Sequence, residues 1–155
     1  MSIEVLNGAE PRKSSPPVIG IPYVVDTVLR SSRFRVLARV VLTFMFWSSG
    51  LAKLIDYETG IGEMRHFGLQ PELLYYVATV VTLLGGSLMV IINRWAWVGA
   101  GALAVFTALT IPIAHNFWDM EEPFRTIEFH VVMEHITVIG ALLVVSYASA
   151  IRRRK

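Results

Sequence analysis

The sequence predicts an all-α membrane protein: a bundle of four transmembrane helices with both termini in the cytoplasm. Three observations predict it. Four apolar runs, at residues 36–55, 73–92, 95–114 and 129–150, each match the roughly 20 residues that cross about 30 Å of lipid tails at 1.5 Å per residue. Hydrophobic residues make up 54% of the 155-residue chain and charged residues 17%, too few charges to cover that much apolar surface in a soluble domain. The basic residues also fall on one side of the spans. Arg12, Lys13, Arg30, Arg33, Arg35 and Arg39 precede or open the first span, Arg94 joins the second to the third, and Arg152, Arg153, Arg154 and Lys155 close the chain. The remaining three of the fourteen basic residues, Lys53, Arg65 and Arg125, share the opposite connections with Asp56, Glu58, Glu63, Asp119, Glu121 and Glu122. Positive charge is retained in the cytoplasm, and an even number of spans requires both termini on the same side.

Residues 1–22 are rich in Pro, Gly and Ser and read as a disordered cytoplasmic tail with no signal peptide. Residues 23–35 place Val24, Val25, Val28 and Leu29 on one side of a helix and supply Arg30, Arg33 and Arg35. That is the pattern of an amphipathic interfacial helix, with a simple extension of the first span as the plainer reading. Residues 36–150 form the transmembrane domain and residues 151–155 a basic cytoplasmic tail. With no cysteine in the chain, disulfides, thiol redox chemistry, c-type haem attachment and cysteine-held clusters are excluded.

The first span aligns Arg39, Leu42, Phe46, Ser49 and Lys53, with Arg39 snorkelling to the headgroups. The connection at residues 56–71 contains Met64, Phe67 and Leu69 and suits a short helix on the outer surface. Tyr75, Thr79, Thr82, Gly86, Met89 and Asn93 fall on one face of the second span, small and hydroxyl-bearing as close helix packing requires. Asn93-Arg94 makes a tight turn, so the second and third helices should be antiparallel neighbours. The third span repeats Ala96, Ala100, Ala104 and Ala108, and Pro112 should bend its outer end. In the fourth, His130, Glu134, Thr137 and Ala141 share a face, and His135 lies about 100° from Glu134. Trp95, Trp97 and Tyr147 mark one interface; Tyr57, Tyr75, Tyr76 and Trp118 mark the other.

Ionisable residues gather in the outer half: Lys53, His115, His130, Glu134 and His135. A charge within a span costs on the order of 3 kcal/mol on insertion scales, so such groups face inward and pair. Lys53 with Glu134 is the expected pair. It reads either as a structural tie across the bundle or as part of a polar pocket formed by Lys53, Thr82, His115, Trp118, His130, Glu134 and His135. Such a pocket would suit a quinone headgroup or a proton path. Two histidines and one carboxylate without a recognised framework do not define a metal or haem site, so no built-in metal is expected. No nucleophile elbow, phosphate-binding loop or zinc-protease helix is present.

Three segments resemble the DoxX family of small four-span bacterial membrane proteins. Phe46-Trp47-Ser48-Ser49-Gly50-Leu51-Ala52-Lys53-Leu54 is similar to the end of the family's first span. Gly85-Gly86 followed by Arg94 is similar to its second span and basic turn. His115-Asn116-Phe117-Trp118 resembles the signature closing its third span. Order and topology agree over residues 36–147. Thr82 stands where the family often has Glu, and Glu134-His135 where it often has Lys-Asn, so Glu134 is expected to balance Lys53 in compensation. The resemblance implies a bacterial inner-membrane protein, an accessory or anchoring subunit of a quinone-linked oxidoreductase system of the kind that includes thiosulfate oxidation. Its cofactor would be a quinone and its partner a redox enzyme subunit or a second copy; nucleic acid is not a partner. The alternatives are a purely structural membrane partner without catalysis and a small-molecule transporter, the latter disfavoured because four spans enclose little pathway.

Overall fold

The computed structural model describes residues 20–152. The tail expected at residues 1–22 therefore lies outside the described residues up to residue 19, and the basic tail does so from residue 153. All regular structure among the described residues is helical: α1 (Tyr23–Arg30), α2 (Ser32–Leu42), α3 (Phe44–Ile55), α4 (Tyr57–His66), α5 (Glu72–Ile91), α6 (Ala96–Ala114) and α7 (Phe124–Arg152), with a single 3₁₀ turn at Phe117–Asp119. The chain is an all-α membrane bundle. Among the described residues, α5, α6 with the turn after it, and α7 are each long and apolar enough to cross a membrane, and α2 with α3 makes a fourth crossing if the bent pair spans as one unit.

That first crossing is not straight. α2 and α3 meet at 58° across Thr43. The fully buried Thr43 donates its hydroxyl to the Arg39 carbonyl at 2.8 Å, and the Trp47 indole N–H donates to the Val40 carbonyl at 3.2 Å. Backbone groups released by a bend in lipid must be satisfied within the protein; the Trp47 indole does this for Val40, while the Arg39 carbonyl keeps the Thr43 backbone N–H at 3.0 Å. The helix that opens at Tyr23 stops at Arg30, because Ser31 is extended, and Arg33 and Arg35 fall on α2.

Hairpin connections set the rest. Asn93 and Trp95 adopt left-handed backbone angles in the turn between α5 and α6, which pack side by side, as do α6 with α7 and α3 with α5. The α5–α6 contact is closest at Gly86 and Gly99: a Cβ on Gly99 would lie 2.6 Å from the Gly86 carbonyl oxygen. Gly85 faces open space, so only one glycine of the pair serves the approach. Ala96, Ala100 and Ala104 are buried at this contact, together with Leu83, Val90 and Leu103, while Ala108 is exposed.

α4 folds back against α5 at the opposite end. Asp56 caps it by accepting the Thr59 backbone N–H at 3.0 Å, and Gly60, Ile61 and Met64 are buried. Gly60 admits the Tyr76 ring, whose hydroxyl donates to the Lys53 carbonyl at 2.9 Å. Tyr76 is therefore a packing residue, in contrast to the exposed Tyr57, Tyr75 and Trp118. α3 has no extensive packing against α6 or α7 among the described residues.

Candidate functional site

The gap left between α3 and α6 becomes a cleft. The face of α5 that packs through Gly86 near the Arg94 turn presents Tyr75, Thr79 and Thr82 nearer its start, four and three residues apart on one side of the helix. α3 contributes Ser49 and Lys53 from successive turns, α4 contributes Glu63 and Met64, and α6 supplies a largely apolar wall that includes Val105, Leu109 and Ile113. The cleft is open on one side and measures about 930 Å³. His115 and His135 line it from α6 and α7.

Its hydroxyls divide into two groups. Thr107 and Thr110 donate to carbonyls of their own helix, at 2.8 Å each. Ser49, Thr79 and Thr82 make no side-chain hydrogen bond to any described residue, yet none is a sealed unsatisfied atom. They open onto the cleft and are available to whatever occupies it.

Two charged clusters stand at the α4 end. Lys53, whose side chain is only 12% exposed, donates to the Glu63 carboxylate. This corrects the expected Lys53–Glu134 pair. α4 folds back over the end of α3 and brings Glu63 to Lys53, whereas α7 stands apart from α3 and turns Glu134 outward, where it is exposed and pairs with no described residue. In the second cluster His115 Nδ1 lies 2.7 Å from Glu128 Oε2, and the His115 and His135 rings are 4.7 Å apart. His135 Nδ1 lies 2.8 Å from the Val131 carbonyl. A carbonyl can only accept, so Nδ1 carries the proton and Nε2 is the free ring atom.

Of the residues singled out from sequence, Lys53, Thr82, His115 and His135 meet at the cleft. Trp118 is 49% exposed beside Phe117, and His130 is exposed with its Nδ1 at the Thr126 carbonyl; neither reaches the cleft, nor does Glu134. The sequence reading missed Glu63 and Glu128. For Glu128 a signal existed: it precedes His135 by seven residues, two helical turns along nearly the same face. For Glu63 the signal was tertiary, since only the fold-back of α4 brings it to Lys53. Among the described residues, no three His, Asp or Glu side chains converge as a metal site.

Helical crossings around an amphipathic internal cleft define a polytopic α-helical membrane protein. Residues 34–116 match the DoxX family, more than half of the chain, and the protein belongs to that family. No curated protein and no solved structure matches the chain. The family match ends at Asn116, so α7, with Glu128 and His135, lies beyond it.

Proposed function

We propose that this DoxX protein is an accessory membrane subunit of a quinone-linked oxidoreductase system and holds a quinone headgroup in its cleft. The cleft is the observation that carries the reading. Its volume of about 930 Å³ falls within the range of small-molecule sites, which are mainly apolar with a few convergent polar groups. A quinone presents two carbonyl acceptors on a flat ring with an apolar tail. Ser49, Thr79 and Thr82 offer uncommitted hydroxyl donors, the Lys53 ammonium offers a second kind of donor, and Val105, Leu109 and Ile113 suit a tail. When bound, a quinone would supply the two-electron chemistry that these side chains lack. The residues themselves bind the ring oxygens and exclude water from the apolar wall.

The subunit role draws support from α7. His130, Glu134 and Thr137 form an exposed stripe on a membrane-crossing helix, and an uncovered carboxylate in lipid is costly enough to favour a protein neighbour there. The same reading places the chain in a bacterial inner membrane with both termini cytoplasmic, supported by the arginines of α2 and Arg94 at one end of the bundle.

The test is calorimetric titration of the full chain in nanodiscs with decylubiquinone. Saturable one-to-one binding, lost on replacing Thr79 and Thr82 together with Leu to fill the cleft, is expected. Absence of binding sinks the quinone reading, and a stable complex with a partner that forms without quinone would then favour the structural role.

A further inference from the structure

The cleft carries two polar side chains that the quinone reading does not use, His115 and His135, and Glu128 stands behind His115. Glu128 Oε2 lies 2.7 Å from His115 Nδ1, and its side chain is 25% exposed, so it can exchange protons with water. His115 is 23% exposed and lies between Glu128 and His135, its ring 4.7 Å from the His135 ring. His135 stands two turns deeper along α7 than Glu128, roughly 10 Å at 1.5 Å per residue. The three side chains thus stand in series from the end of the bundle to the cleft wall, Glu128 and His115 in hydrogen-bond contact and His115 and His135 in ring contact.

The tautomer of His135 determines what this series does. With Nδ1–H committed to the Val131 carbonyl at 2.8 Å, a neutral His135 offers only a lone pair, on Nε2. A ligand carbonyl oxygen also offers only lone pairs. Moving the existing proton from Nδ1 to Nε2 would set the Nδ1 lone pair against the Val131 oxygen. The arrangement that satisfies every atom adds a proton at Nε2, so that His135 donates to both the Val131 carbonyl and the ligand.

We propose that a carbonyl-bearing ring ligand binds this cleft with uptake of one proton at His135 Nε2, delivered from water through Glu128 and His115. The proposal rests on the quinone reading and identifies the proton chemistry of that site. The transfer balances without redox change. With His115 neutral and protonated on Nε2, a proton taken up by the Glu128 carboxylate passes to His115 Nδ1 while the Nε2 proton passes to His135 Nε2, after which His115 returns to its starting tautomer. Glu128 and His115 end as they began, and His135 ends as an imidazolium. The groups near His135 are His115, Glu128 and, on its own helix, Glu134; across the cleft stand Lys53, Glu63 and Tyr75. Lys53 and Glu63 balance each other, so the new positive charge faces the carboxylates of Glu128 and Glu134.

Proton uptake is measured by titrating the full chain in nanodiscs with decylubiquinone at pH 7 in two buffers of different ionisation enthalpy. Uptake approaching one proton per quinone is expected. In His135→Gln the amide N–H can donate without taking a proton from solvent, so uptake should vanish while affinity stays within about tenfold. In Glu128→Gln, stopped-flow mixing with a pH-indicator dye should show the same final uptake arriving at least tenfold more slowly, with Glu128→Asp recovering the rate. Binding without uptake, uptake that survives in His135→Gln, or an unchanged rate in Glu128→Gln would each overturn the relay and leave the quinone reading standing. If decylubiquinone does not bind, the quinone reading fails. The relay is then decided by ring-nitrogen NMR of labelled histidines at a single pH: Glu128→Gln must change the tautomer signals of both His115 and His135, and a change confined to His115 overturns it.

Discussion

The α5–α6 hairpin is closed near the Arg94 turn and open near α4, although both halves are apolar. Near the turn Gly86 and Gly99 bring the helices so close that a Cβ on Gly99 would lie 2.6 Å from a backbone oxygen. Toward α4 the same face of α5 carries Thr82, Thr79 and Tyr75, and α3 departs at 58° from the line of α2. Lipid tails are as apolar as Leu, so hydrophobicity cannot draw membrane helices together; shape and polar bonds do. The contrast teaches that this protein sets where it is hollow through side-chain size and one bent helix, and places its polar side chains along the hollow half.

The largest effect should come from breaking the closed half. Gly99→Ala forces a methyl group against the Gly86 carbonyl, and overpacking of this kind costs about 1–3 kcal/mol. The melting temperature in detergent should fall clearly. Gly85→Ala, whose Cβ would face open space, should leave it unchanged or slightly raised, since Ala favours helix by up to about 1 kcal/mol over Gly. Equal losses in the two variants would mean that the Gly86–Gly99 approach does not hold the hairpin shut.

Next comes the tie that borders the open half. The Lys53–Glu63 pair is neither fully buried nor exposed, at 12% and 41% side-chain exposure. Its coupling should therefore lie between the values for surface and buried pairs, about 1–2 kcal/mol. A double-mutant cycle of Lys53→Met with Glu63→Gln should be non-additive by that amount, whereas Lys53→Met with Glu134→Gln should be additive. Additivity in the first cycle and coupling in the second would restore the pairing expected from sequence.

The cleft hydroxyls test the open half without changing the shape of its walls. Thr79→Val and Thr82→Val preserve shape and remove groups that bond to no described residue, so melting temperature should hold. If each hydroxyl donates to the quinone, the affinity for decylubiquinone should weaken by roughly 2- to 10-fold per substitution, the equivalent of about 0.5–1.5 kcal/mol. Loss of stability with affinity unchanged would make them packing residues.

Much of this contrast was legible in the sequence, for reasons that are local. Apolar length and the Asn93-Arg94 turn prescribe the hairpin, and the Thr79–Thr82–Gly86 spacing prescribes the face that lines the cleft and then closes. Glu134 shows where such reading stops. It shares a helix with His135, and only the rotation of α7 against α6 decides that His135 meets the cleft and Glu134 does not. The bend at Thr43 was equally hidden, because neither proline nor glycine marks it and the Trp47 indole satisfies the carbonyl from seven residues away. Glu63 needed the fold-back of α4, which depends on Gly60 receiving the Tyr76 ring.

The smallest effect concerns the start of α4, which carries Glu63 to the cleft. The Asp56 carboxyl lies below its ordinary value of 3.8, first because it accepts the Thr59 backbone N–H and second because it accepts the Thr59 hydroxyl. A carboxyl lowered in the folded state contributes stability above its ordinary value, and that contribution disappears as pH falls through the lower folded value. Asn at this position can still cap the helix but carries no charge to titrate. The difference in melting temperature between wild type and Asp56→Asn should thus be small at pH 6, because the carboxylate is fully exposed, and should shrink further toward pH 3. Every other ionisable group is common to both proteins, so the comparison isolates Asp56. Amide exchange at Gly60 and Ile61 localises the change to α4. A difference that stays constant from pH 6 to pH 3 would mean that the charge on Asp56 does not hold this helix, leaving the Gly60–Tyr76 contact and the Lys53–Glu63 pair to keep Glu63 at the cleft.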